Sequence, residues 1–301
     1  MNVLVLKGGP DAEREVSLRS GAMVAAALRR AGAQVEEITI DRPGLAEIRA
    51  MPGDVVFPVL HGPWGEGGVL QEILEQDGRP YVGCGPDAAR LAMDKPASKR
   101  AVAEDGVPTP PSQVLRPGDA LTLPTPLVLK PCDDGSSVDL RVCATAEDAA
   151  RARLELHVRR PILLAESFIE GREITIGLLE DRELPLIEVR PKCGLYDYEA
   201  KYNRDDTEYR LDPELPPGVA ESIRKWARAA WRRLGLRDVA RVDFMLDARG
   251  AWFLEANTMP GFTDHSLVPK AAAHAGLSME RLVVGLAERA MARRGVASTR
   301  A

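Results

Sequence analysis

The chain has 301 residues, a net charge of −5, 45% hydrophobic and 28% charged residues, a composition that packs into two or three domains and excludes wholesale disorder or a general polyanion binder. No apolar run approaches the roughly 20 residues needed to span a bilayer, and the opening MNVLVLKGGP reads as a first strand rather than a signal peptide. The four cysteines are scattered with no CxxC, which speaks against zinc and against a disulfide framework, so the expectation is a cytoplasmic enzyme or binding protein with no nucleic-acid or membrane partner.

Val3–Leu6 predicts a strand ended by Gly8-Gly9, and Glu15–Arg30 a helix with Val16, Met23, Val24, Ala27 and Leu28 at helical spacing. Gln34–Ile40 and Val55–Leu60 predict further strands, and Val69–Glu75 a helix. Alternating β and α implies a parallel sheet covered on both faces. Ligands of such sheets sit at the C-terminal strand ends, here Lys7-Gly8-Gly9 and His61-Gly62. Gly83–Pro86 closes this unit. Short helices over Asp87–Ala92 and Asp94–Asp105 and an aperiodic, proline-dense Val107–Pro126 follow. Strands are predicted at Leu127–Lys130, Ile162–Ser167, Glu173–Leu179 and Leu184–Val189, with a helix over Ala146–Val158 among them. After polar Lys192–Asp206 comes an amphipathic helix marked by Val219, Ile223, Ala227, Ala230 and Leu234, then strands Ala240–Leu246 and Trp252–Ala256 and terminal helices. The fold class read from this order is α/β followed by α+β, in three domains spanning 1–86, 87–172 and 173–301.

The sharpest constellation lies in the segment from Arg241 and Asp243 to Glu255 and Asn257. Strand side chains alternate faces, so Arg241 shares a face with Asp243, and Glu255 with Asn257. A turn over Asp247–Gly250 brings Asp243 about opposite Glu255. Two carboxylates and an amide oxygen among apolar Phe244, Leu246, Phe253 and Leu254 select a hard cation that keeps places for water and phosphate oxygens. The competing reading is polar cross-strand pairing on a solvated face; an arginine on that face favours magnesium–phosphate chemistry.

Lys130-Pro-Cys-Asp-Asp-Gly-Ser136-Ser137 sets a lysine at a strand end before a Gly-Ser-Ser turn, the outline of a phosphate cradle. It lacks the GxxxxGK[ST] pattern and, read alone, is equally an ordinary turn. The stretch from Glu166 to Glu173 links two strands; its carboxylates and the Phe168–Ile169 backbone suit a ribose and an adenine edge, or form a plain charged loop. Glu13 opens the first helix and either caps it or holds a substrate ammonium. His61, at the next strand end, shares that crevice or is structural. Tyr196–Tyr202 is either a lid that excludes water or a surface loop held by aromatic packing. The basic residues Arg224, Lys225, Arg228, Arg232, Arg233 and Arg237 read as a solvated helix face, and nothing marks Cys132 as a reactive thiol.

Eight segments, in order, resemble the D-alanine–D-alanine ligases of the ATP-grasp superfamily: GGPDAEREVSLRSG (Gly8–Gly21), HGPWGEGG (His61–Gly68), MDKPASK (Met93–Lys99), LKPCDDGSS (Leu129–Ser137), ESFIEGRE (Glu166–Glu173), YDYEAKY (Tyr196–Tyr202), ARVDFMLD (Ala240–Asp247) and LEANTMPGFTDHSLVP (Leu254–Pro269). The resemblance implies an ATP-grasp fold with a parallel-sheet N-terminal domain, a small α+β central domain and an α+β C-terminal domain. It implies an ATP-dependent ligase that joins two D-alanine molecules through an acyl phosphate for peptidoglycan synthesis, with ATP and two Mg²⁺ (or Mn²⁺), as a cytoplasmic homodimer associating through its first domain.

By the same resemblance, Lys95, Lys130 and Lys201 contact nucleotide phosphates, and Glu166, Phe168, Ile169 and Glu173 bind adenosine. Asp243, Glu255 and Asn257 are the magnesium ligands. Glu13 holds the first D-alanine's ammonium with His61 nearby, and Arg241 with the Gly261 N–H forms the oxyanion site. Ser266 and Leu267 receive the second D-alanine's carboxylate, while Ser136 and Tyr202 join Glu13 in tying lid to substrate. Tyr202 matches members that form the dipeptide rather than the D-lactate ester. Leu195, Gly67, Glu72, Cys132 and Asp139 depart from the common pattern, and no base for the second step is identified. Three readings compete: a related ATP-grasp ligase joining other amino or hydroxy acids, a non-catalytic nucleotide-binding protein, and a dinucleotide-dependent oxidoreductase, the last lacking GxGxxG.

Overall fold

The computed structural model describes residues 1–135, 139–180, 182–191 and 207–298. Strands β1 (Asn2–Gly8), β2 (Gln34–Ile40) and β3 (Val55–Pro58) form a parallel sheet in the order β2-β1-β3. Alternation along β1 sends Val3 and Val5 to one face and Leu4 and Leu6 to the other, and all four are fully buried because both faces are covered. Val3 and Val5 pack on helix α1 (Arg14–Arg30) and on the long C-terminal helix α10 (Met279–Ser298). Leu4 and Leu6 meet α2 (Leu45–Ala50) and α4 (Val69–Asp77). A short α3 (Gly62–Glu66) stands at the sheet's C-terminal end.

Helices α5 (Pro86–Met93) and α6 (Lys95–Glu104) lead to an antiparallel sheet ordered β4-β7-β5-β6, made of Ser112–Leu115, Leu163–Ser167, Leu127–Pro131 and Arg141–Cys143. Its apolar face is closed by α7 (Ala146–His157) through Ala149, Ala152 and Leu156. Thr145 caps α7, its hydroxyl accepting from Asp148 N at 3.1 Å. Strand β4 lies inside the stretch read as aperiodic: four residues between prolines give too short a pattern to see, and pairing with β7 defines it.

The third sheet is antiparallel, ordered β10-β9-β8-β11-β12: Thr207–Leu211, Arg182–Pro191, Arg172–Leu179, Val239–Asp247 and Gly250–Asn257. Helix α8 (Val219–Arg233) covers one face with Ile223, Ala227 and Ala230, as its periodicity predicts. Helix α9 (Leu267–His274) covers the other, and its core runs without a break into that of the first sheet. The mixed fold, a parallel sheet first and antiparallel sheets after, agrees with the sequence reading.

Candidate active site

The carboxylates of β11 and β12 meet because of an irregularity in their hairpin. Near the turn, Asp247 pairs with Gly250 and Phe244 with Phe253, a register in which Asp243 would face Leu254. A β-bulge after Phe253 absorbs Leu254, so Asp243 pairs with Glu255 and Arg241 with Asn257. The burial pattern records the switch: Ala251, Phe253 and then Ala256 turn to the core, leaving Glu255 and Asn257 on the open face with Arg241 and Asp243. Bulges commonly re-aim a side chain beside an active site. Without this one Glu255 would enter the apolar core.

On that face Asp243 is gripped by the Arg241 fork, with Nε to Oδ1 and Nη2 to Oδ2 both at 2.9 Å, and accepts from the Thr175 hydroxyl at 2.5 Å. Asn257 Oδ1 accepts from Met259 N at 3.0 Å. Among the described residues no three His, Cys, Asp or Glu side chains cluster to hold a metal. A cation at the hairpin would therefore take two carboxylates and an amide oxygen from the protein and complete its shell with outside oxygens. That incomplete all-oxygen donor set fits magnesium, which keeps water and phosphate ligands.

Facing the hairpin are three lysines. Lys95 Nζ lies 3.2 Å from Glu255 Oε2 and donates to Asp134 O at 2.5 Å. Burial would lower its pKa, but Glu255, Glu166 and Asp134 together outweigh that and leave it raised. Glu166 is buried between Lys99, at 2.7 Å, and Lys130. Burial pushes the Glu166 carboxyl up, and the two ammonium groups pull it down to about 2. Lys99 is pushed down to about 8 by burial, against the pull of Glu166. Beyond Glu166 the chain crosses to the third sheet through Phe168, whose N–H donates to Pro126 O at 3.1 Å, and buried Ile169. Gly171 passes so close to β11 that a β-carbon would lie 2.0 Å from Leu246 O, so this crossing requires glycine.

Behind the hairpin opens a cleft of about 340 Å³, between α1 and the loop that enters α9. Glu13, Glu66, Gly135, Arg241, Glu255, Asn257, Gly261, Ser266 and Leu267 line it. Gly135 approaches Glu13 closely enough that a β-carbon would stand 2.9 Å from Oε2. Gly261 sits against Ser266 in the same way, at 2.7 Å from its hydroxyl, and Ser20 accepts from the adjacent Phe262 N at 3.1 Å. Glu66 bridges the first sheet's end to this loop, accepting from Gly62 N at 3.3 Å and Met259 N at 3.2 Å. Burial, reinforced by Glu13, pushes its carboxyl up to about 8. Buried His61 stands 3.9 Å from Glu66, its Nε2 without a partner among the described residues, and burial holds its imidazole below the usual range.

The D-ala D-ala ligase N-terminus family matches residues 46–84, and the D-ala D-ala ligase C-terminus family matches residues 113–288. A D-alanine–D-alanine ligase from Syntrophotalea carbinolica is 40% identical over 284 residues, 93% of each chain. The chain belongs to the D-alanine–D-alanine ligase family. Among solved structures, a D-alanine–D-alanine ligase from Bacillus anthracis complexed with ATP superposes with a TM-score of 0.85 at 27% identity, covering 98% of this chain and 99% of that one. The VanG D-Ala:D-Ser ligase from Enterococcus faecalis superposes with a TM-score of 0.81 at 26% identity, covering 95% and 98%.

Of the residues the family resemblance singles out, Glu13, Arg241, Glu255, Asn257, Gly261, Ser266 and Leu267 meet in the cleft. Asp243 and His61 are buried at its edge, and Lys95, Lys130 and Glu166 lie on the lysine side. Glu173, in β8, pairs with Met245 next to the hairpin. Ser136, Lys201 and Tyr202 lie outside the described residues, as does Leu195. Lys99, Glu66, Thr175 and Asp11 also shape the site although none is among the candidates above, the last accepting from Trp64 N at 2.9 Å and Gly65 N at 3.2 Å to cap α3. Lys99 had a signal, since it falls one helical turn after Lys95 on the same face. The others are paired by contacts distant in sequence.

Proposed function

We propose that this chain joins two D-alanine molecules into D-alanyl-D-alanine at the expense of ATP, through an acyl phosphate, for peptidoglycan synthesis. The observation that carries the reading is the shared face of Arg241, Asp243, Glu255 and Asn257 across from Lys95 and Lys130, in a chain similar over nearly its whole length to ligases of this name. Lys95, Lys130 and Lys201 bind the phosphates, and Glu166, Phe168, Ile169 and Glu173 hold adenosine. Glu13 takes the ammonium of the first D-alanine beside His61, and Ser266 and Leu267 take the carboxylate of the second. Ser136 and Tyr202 close the site with Glu13.

Asp243, Glu255 and Asn257 would hold two Mg²⁺ or Mn²⁺ ions, which offset anionic charge during phosphoryl transfer. The rest is positioning by the chain. Arg241 and the Gly261 N–H donate to the oxyanion that forms when the second amine attacks, donors of a kind whose individual loss costs about 10²–10³ in rate. Glu66, held uncharged at neutral pH by its pKa of about 8, keeps a second negative charge away from Glu13. We extend the reading to three domains, 1–86, 87–172 and 173–301, and to a cytoplasmic homodimer. Dependence on ATP supports the compartment, and no described helix is long and apolar enough to cross a membrane.

The test is product analysis of the purified chain with ATP, Mg²⁺ and D-alanine, with D-serine and D-lactate as competing second substrates. D-alanyl-D-alanine, ADP and phosphate in equal amounts are expected. ATP turnover indifferent to D-alanine would overturn the assignment in favour of a ligase for other amino or hydroxy acids.

A further inference from the structure

Lys99 is 2% exposed, on the face of α6 that also carries Lys95. Its ammonium makes three contacts. It lies 2.7 Å from Glu166 Oε1, donates to Phe253 O at 2.9 Å, and sits 5.7 Å from the centre of the Phe253 ring. The other oxygen of Glu166 holds Lys130. Phe253 immediately precedes Leu254, the residue the bulge absorbs, and β12 is the edge strand of its sheet. An edge strand's outward N–H and C=O groups need partners when they are covered. Here Pro108 O takes the Phe253 N–H at 2.8 Å and Lys99 takes its carbonyl.

We propose that Lys99 is a positioning residue for the ligase reaction: its ammonium pins the bulge that turns Glu255 toward the open face to the carboxylate that holds Lys130. The four-stranded sheet, with Lys130 and Glu166, and the hairpin, with Asp243 and Glu255, are then held at one spacing. That spacing is what a triphosphate and its cations must bridge. Stability alone is a poor reason for such a group, because a buried ion pair is commonly replaced by packed apolar residues at little or no cost in folding. One ammonium from α6 that engages two residues on two different sheets, Glu166 and Phe253, is better explained by geometry. The inference rests on the nucleotide and cation reading of the site given above.

The test uses the full chain with Lys99→Met and Lys99→Gln. ADP binding without metal is measured by calorimetry, Mn²⁺ binding in the presence of ADP by electron paramagnetic resonance, and KM separately for ATP and D-alanine. Both substitutions are expected to weaken ADP and Mn²⁺ by about 10–100-fold, the range for residues that orient ligands from behind. KM for ATP should rise in parallel, with KM for D-alanine unchanged. Wild-type ADP and Mn²⁺ affinity in either folded variant overturns the proposal, and so does an equal rise in both KM values. If Lys99→Met does not fold, Lys99→Gln decides, since it keeps a donor for Phe253 O and loses the positive charge that faces Glu166 and the Phe253 ring. A wild-type chain that binds no ADP refutes the nucleotide reading itself, whereas wild-type binding matched by the variants refutes only the role of Lys99.

Discussion

Glu66 is a carboxyl that folding forces to keep its proton. Its pKa rises from 4.5 in the unfolded chain to about 8 through burial and the neighbouring Glu13. Between those values the unfolded chain binds fewer protons at this site than the folded one, so stability falls as pH rises through the window and is level above it. Glu66→Gln cannot titrate. It loses one acceptor, so it should begin less stable than wild type near pH 4.5. The difference should then move steadily in the variant's favour up to about pH 8. Urea unfolding at a series of pH values reads this directly, and two parallel stability curves would contradict it. Little of this was legible beforehand: Glu66 stood out only as part of HGPWGEGG, because its charge state depends on Glu13 and Met259, 53 and 193 residues away. Arg241, Asp243, Glu255 and Asn257 are legible as candidates because they lie within one hairpin, where alternation places Arg241 with Asp243 and Glu255 with Asn257; that the two pairs share a face is the work of the bulge.

At the scale of elements, the hairpin also shows where pattern reading stops. The turn lies at Asp247–Gly250, where the sequence predicts it, yet a regular ladder from that turn pairs Asp243 with Leu254. The bulge that corrects the pairing lies beside contacts made by Phe253 with Pro108 and Lys99, which no local pattern encodes. Short edge strands such as β4 escaped for a related reason, since pairing rather than propensity makes them strands. Helix α6, by contrast, announces its start. Asp94 is the cap, its carboxylate accepting from Ala97 N at 2.8 Å, and the next residue is Lys95, whose N–H donates to Cys132 O at 2.9 Å. Removing the cap should fray the turn that aims Lys95. Asp94→Ala is expected to cost about 1 kcal/mol of stability and to raise KM for ATP while leaving KM for D-alanine as it was. Equal changes in both would mean that the cap serves the fold alone.

For the whole molecule, the first and third sheets share one core through α9 and α10, so residues as far apart as Val3 and Ala290 belong to the same cluster. The seam is closed by Asp238, fully buried and in the left-handed region at φ +61°. It accepts from Gly83 N at 2.7 Å and from both terminal nitrogens of Arg293, whose Nη2 also donates to Tyr81 O at 2.7 Å. Arg237 adds a donor to Gly83 O at 2.6 Å and lies over the Tyr81 ring at 4.8 Å. One aspartate thus joins the end of the first sheet, the strand that leads into the hairpin and the last helix. Truncating one partner of a buried pair typically costs about 3–5 kcal/mol, because the other charge is left without compensation. Arg293 is 32% exposed along its side chain and recovers part of its hydration, so Asp238→Ala should fall at the lower end of that range. The penalty should appear in thermal unfolding. At a temperature where the variant stays folded, kcat and both KM values should match wild type, since Asp238 contacts none of the residues that line the cleft. Lost turnover with an unchanged melting temperature would show instead that this seam transmits strain to the active site.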